Sequence, residues 1–128
     1  MQDQPSPREI LGAIAAFLRN TVVLNSDARS AFQARVAANA LDLVRRQLEL
    51  GAAGEAAEER RVQALLGRAG TLAELNSALA DALASGAMGL SSPGVVEHLR
   101  ATTLEKLQVD QPNYSGYLAA LERPLEDT

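Results

Sequence analysis

The chain contains no cysteine, no tryptophan, two tyrosines, two phenylalanines and one histidine. Without cysteine there are no disulfides, no thiolate metal ligands and no cysteine nucleophile, a pattern that fits a reducing compartment. Lysine is nearly absent too, since 11 of the 12 basic residues are arginine and only Lys106 differs. That skew fits either anion recognition by guanidinium forks or compositional bias. A net charge of -4 leaves no basic face for displacing counterions from phosphates, so a general nucleic-acid binder is not expected. No apolar run reaches the length of a membrane span, and "MQDQPSPRE" lacks the basic and apolar regions of a secretory signal. A soluble cytoplasmic protein without membrane attachment is the expectation.

What fills the chain instead is alanine and leucine, 24 and 20 residues, against 8 valines and 2 isoleucines. These are helix formers rather than strand formers, and 128 residues suffice for one domain. The expected fold is all-α, a compact bundle of five to six mostly antiparallel amphipathic helices in a single domain over 1–128, with its ordered part at about 7–122.

Helix starts are marked by local chemistry. "SPRE" places Ser6 at an N-cap, Pro7 at the first helical position and Glu9 in a capping box, which predicts a helix from about Pro7 to Asn20. "LNSDAR" offers Ser26 or Asp27 as the next cap, and a helix from Ala28 to Leu50 is expected to stop at Gly51. A third helix then spans "GEAAEERRVQALLG", its acidic residues read as a helix-start cluster and Val62, Leu65, Leu66 and Ala69 facing inward. Thr71 and Glu74 form a second capping box, Gly86 closes that helix, Ser92 with Pro93 opens the next, and "DQPN" breaks it near Val109. A last helix from Asn113 to about Glu122 is expected to dock Tyr114, Tyr117, Leu118 and Leu121 on one side.

Several polar residues stand out on helical wheels. Arg35 and Asn39 belong to a polar stripe with Asp42, Arg46 and Glu49, where Arg35 reads as solvated and Asn39 as half-buried. Asn76 and Arg100 fall on apolar faces and need partners, because an unpartnered buried amide costs about 1–3 kcal/mol. Two readings stay open. Arg100 pairs with Glu74, Asp110 or helix C-terminal carbonyls while Asn76 bonds across the bundle, or Asn39, Asn76 and Arg100, with Arg35, line one pocket for an anion or a partner's side chain. Asp110 reads as a turn cap, and Tyr114 and Tyr117 either pack or form a partner surface. His98 is placed on a polar, solvated side, and one imidazole without companions is a poor metal site. No nucleophile elbow, phosphate loop or opposed carboxylate pair is present, so neither an enzyme acting alone nor a bound cofactor is expected.

Three blocks, "AFQARVAANALDLVRRQLELG", "LLGRAGTLAELNSALADAL" and "HLRATTLEKLQVDQPNYSGY", together resemble a family of small bacterial helical proteins of unknown function. Members of that family are often encoded beside an aminoglycoside-phosphotransferase-like kinase and an acyl-CoA dehydrogenase-like flavoprotein. The resemblance implies a helper in acyl-CoA breakdown working with one of those proteins, and it carries no catalytic residues. Arg35, Asn39, Asn76, Arg100, Asp110 and Tyr114 lie within the resembling blocks. The leading expectation is a noncatalytic accessory or interaction protein with a groove or an apolar patch around the final helix. A module for an anionic ligand such as an acyl-CoA, or a structural homodimer, are the alternatives.

Overall fold

The computed structural model describes residues 3–125, and within them the chain is all-α. Helix α1 (Pro7–Phe17) passes into a π-helical turn (Leu18–Val22) and a 3-10 turn (Val23–Asn25). Then come α2 (Ala28–Leu66), α3 (Leu72–Ser85), α4 (Val95–Asp110) and α5 (Ser115–Leu121). The expected caps form as their chemistry dictates. Ser6 and Thr71 complete reciprocal capping boxes with Glu9 and Glu74, and Asp27 Oδ1 accepts from the Ser30 amide at 2.8 Å. Each of these three carboxylates is held below its ordinary pKa, first of all by the backbone N–H it accepts.

Two expected boundaries are corrected. No helix ends at Gly51: α2 continues through Gly51 and Gly54 to Leu66, so the segments expected as helices two and three are one element. Neither glycine adopts the left-handed conformation, which is found at Gly67, Gly86 and Gly94. The alanines and glutamates around them favour helix enough to absorb about 1 kcal/mol per glycine. Nor does α4 begin at Pro93. Ser92 Oγ is spent on the Gly89 amide at 3.0 Å, and a left-handed Gly94 with φ 84° turns the chain into the helix.

Contacts divide the chain into two compact units, one ending at Gly51 and the next beginning at Ala52. In the first, the segment before Asn25 runs antiparallel to residues 28–51 of α2. Arg8 pairs with Glu49 at 2.8 Å at one end, and Arg19 reaches Asp42 at 2.7 Å and Asn39 Oδ1 at 2.8 Å toward the other. The seam closes on small side chains, with Ala15, Ala31, Ala34 and Ala38 buried. Alanine lets the helices approach closely and pushes the large side chains to the flanks, so that Phe32 is 64 % exposed.

The second unit has a core of larger side chains. Val62 and Leu75 are fully buried with Leu79, and Leu66, Leu72, Leu83 and Met88 pack around them. Val95 and Val109 on α4 and Tyr117 on α5 are also buried, whereas Ala69, expected to face inward, is exposed. Among the described residues no helix is long and apolar enough to cross a membrane.

Candidate functional site

Helix α4 has two faces, and their roles are the reverse of what apolar content predicts. At about 100° per residue, Val96, Leu99, Leu104 and Leu107 share one side, while Val95, His98, Thr102, Glu105 and Val109 share the other. The second, more polar side is the one packed inward: Val95, His98 and Val109 are buried, and Thr102 and Glu105 are half-buried. Polar partners on α2 and α3 make this possible. Arg61 donates to both carboxylate oxygens of Glu105, at 2.9 and 2.7 Å, and to Thr102 Oγ1 at 3.2 Å. Asn76 Nδ2 donates to Glu58 Oε1 at 2.8 Å, joining α3 to α2.

His98 is 3 % exposed and Glu58 7 %, which corrects two expectations. The histidine is not solvated, and the carboxylates of "GEAAEERR" are not a helix-start cluster, because the sequence lies inside α2 and one of them enters the core. Burial holds the His98 pKa below its ordinary 6.5, and Arg61 adds to the effect against the opposing carboxylates of Glu58 and Glu105. The imidazole is therefore neutral at physiological pH. Glu58, Arg61 and His98 give no sequence signal as a group: each sits among residues that read as an exposed surface, and only tertiary packing selects that surface.

The leucine face of α4 is left with little cover. Opposite it lies α5, seven residues long, held by Arg100. The guanidinium donates to the carbonyls of Ala120, at 2.6 Å, and Arg123, capping the end of α5. Between them runs an open groove of about 510 Å³, walled chiefly by Leu90, Val96, Leu99, Leu104, Leu107 and Tyr114. Leu90 and Tyr114 are 74 and 51 % exposed at its rim. Of the polar groups in the walls, Arg100 is engaged as above and Thr103 Oγ1 donates to the Leu99 carbonyl at 2.7 Å, while Tyr114 brings its hydroxyl to the rim. This surface accepts apolar side chains and carries one cationic group, the Arg100 guanidinium, which is engaged by backbone carbonyls.

The residues singled out from sequence are thus distributed over separate sites. Arg35 and Asn39 line a cleft of about 290 Å³ in the first unit with Arg19 and Val23, and Asn39, expected as half-buried, is exposed with Arg19 as its partner. Asn76 is spent on Glu58. Arg100 and Tyr114 share the α4–α5 groove. Asp110 is an exposed last residue of α4. Tyr117 belongs to the core, so of the four residues expected to dock from the last helix it alone is buried. Among the described residues, no three His, Cys, Asp or Glu side chains converge on a possible metal position.

The family model described as Domain of unknown function (DUF6285) matches residues 24–114, and the chain belongs to this family. The matched span takes in α2, α3 and α4, hence the whole Glu58–Arg61–Asn76–His98–Glu105 cluster and the α4 wall of the groove, while α1 and α5 lie outside it. No curated protein and no solved structure matches the chain.

Proposed function

We propose that this protein is a noncatalytic accessory domain of the bacterial cytoplasm that docks an amphipathic helix of a protein partner in the α4–α5 groove. One observation carries the reading: the leucine face of α4 forms an open groove, while the polar face of the same helix is fastened into the core. Apolar walls of this kind suit a helix presenting large apolar side chains at i, i+3 and i+4. The half-buried Arg61 and Glu105 pair with each other and the buried Glu58 accepts from Asn76, which fits a structural role for these groups. The sequence resemblance supplies the first candidates, a phosphotransferase-like kinase and an acyl-CoA dehydrogenase-like flavoprotein.

The test is a native purification of the tagged chain, in wild-type form and as Leu99→Asp, with retained proteins and small molecules identified by mass spectrometry. Leu99 is on the groove wall and 37 % exposed, so the variant is expected to fold. A stoichiometric protein that rebinds the purified wild type and is lost from Leu99→Asp supports docking. Equal retention by both chains contradicts it.

A second reading, a module for an acyl-CoA or similar anionic ligand, is favoured by the same leucine walls, which suit an acyl chain as well as a helix. Thermal unfolding separates the two: ligand at about a hundred times its Kd adds roughly 2.7 kcal/mol of stability. Acyl-CoA thioesters are expected to leave the unfolding temperature unchanged if the groove serves a protein.

A further inference from the structure

Two buried nitrogens of the second unit meet no hydrogen-bond partner among the described residues: Nδ1 of His98 and Nε of Arg61. Arg61 spends its two terminal nitrogens on Glu105 and Thr102, so its Nε–H is the donor left over. His98 is 3 % exposed. A buried polar atom is costly to leave unsatisfied, which sets these two apart from the paired groups around them.

Both side chains line one pocket of about 500 Å³ at the start of α4. That volume falls within the roughly 300–1,000 Å³ of small-molecule sites. Ala64, Leu65 and Pro93 supply apolar walls. Gly94 brings the walls together: a Cβ there would lie 3.0 Å from Leu65 Cδ2, so the missing side chain lets α4 begin close against α2. It also leaves the first turn of α4 without a side-chain cap. The pocket shares no lining residue with the α4–α5 groove.

The chemistry of the two nitrogens restricts the occupant. An arginine Nε–H only donates, so the occupant must present an acceptor. A neutral imidazole nitrogen donates or accepts according to tautomer, and a group that does both matches it either way. Charge decides the rest. Glu58 and Glu105 act on His98 and Glu97 lines the pocket, against one guanidinium, Arg61, among the lining residues. A carboxylate or phosphate would meet this surplus of negative charge. A cation would suit Glu97 but would leave the Arg61 donor without an acceptor. We infer that the pocket binds a small neutral molecule by a carboxamide group, its carbonyl accepting from Arg61 Nε–H and its amide pairing with His98 Nδ1, with an apolar body against Ala64, Leu65 and Pro93.

The experiment titrates the full chain with benzamide, and separately with benzoate, its charged counterpart, to about 10 mM, a range suited to so small a probe. Nitrogen-resolved NMR follows the imidazole of His98, the only histidine, and the Arg61 Nε–H. Benzamide is expected to move both signals saturably, and benzoate to bind about tenfold more weakly. Ala64 is an exposed wall residue, so Ala64→Trp is expected to fold, as circular dichroism checks, and to abolish the shifts; Leu99→Asp in the separate groove is expected to keep them. No saturable shift with benzamide, which would leave the two nitrogens to water, overturns the inference. So does benzoate binding as tightly, or a benzamide response that Ala64→Trp leaves intact or Leu99→Asp removes. Should Ala64→Trp lose its helicity, the wild-type footprint decides: shifts at His98 and Arg61 support the pocket, and shifts confined to the Leu99–Leu107 wall of the groove overturn it.

Discussion

Asn76 donates its amide to Glu58 across the α2–α3 pairing at 2.8 Å, and this bond accounts for a carboxylate that is 7 % exposed in the middle of a helix. Removing one member strands the other. Glu58→Ala is expected to cost about 1–3 kcal/mol, and the double variant with Asn76→Ala less than the sum of the two single changes. Urea unfolding of the four chains measures this directly. Strict additivity would mean that the two side chains do not interact.

His98 makes stability depend on pH. Its folded pKa lies below its ordinary 6.5, so the unfolded chain takes up the proton first. The contribution of the neutral imidazole is complete above 6.5 and declines as the pH falls from there through the lowered folded value. A falling urea midpoint between about pH 7.5 and about pH 5.5 is expected for wild type, and a flatter profile for His98→Gln. The cap carboxylates Glu9, Asp27 and Glu74 are depressed from 4.5, 3.8 and 4.5, so their contributions are lost only at more acid pH and leave this window clear.

Two glycines predict opposite signs for the same substitution. Gly54 is helical with open space at its Cβ position, so Gly54→Ala is expected to stabilise by about 0.5–1 kcal/mol. Gly86 ends α3 at φ 79°, where Gly86→Ala forces a left-handed conformation and costs about 1–2 kcal/mol. Thermal unfolding of both variants checks the continuity of α2: destabilisation by Gly54→Ala would place a turn there.

Arg100 fastens α5, which at seven residues is too short to be helical unaided. Arg100→Ala is expected to raise hydrogen exchange through Ser115–Leu121 while leaving α3 protected. Unchanged exchange in α5 would show that Tyr117 alone holds the segment.

The sequence discloses features that rest on neighbours along the chain. Ser6, Asp27, Thr71 and Gly86 act within one turn of helix, and each does in the structure what its chemistry prescribes. Gly51 misleads because a glycine ends a helix only when the residues beyond it cannot continue, and here alanine and glutamate can. Ser92 misleads for a related reason, its hydroxyl being taken by Gly89. The candidate groove was legible as an apolar face carrying Arg100 on α4, and the carbonyl partners of that arginine were among those the wheel allowed. The buried cluster was not legible. Which side of α4 turns inward depends on Arg61 of α2 meeting Glu105 of α4 while Glu58 of α2 meets Asn76 of α3, and no spacing within one helix encodes those meetings.

Site-directed photocrosslinking tests the central claim, that the α4–α5 groove receives a partner helix. The chain has no cysteine, so a benzophenone can be attached at Leu99→Cys in the groove wall and, as a control, at Asp81→Cys on exposed α3, and illuminated in extract of the producing cells. The account predicts one protein adduct of defined mass from position 99, displaced by excess unlabelled chain and absent from position 81. No protein adduct at 99, or the same adducts at both positions, would contradict it.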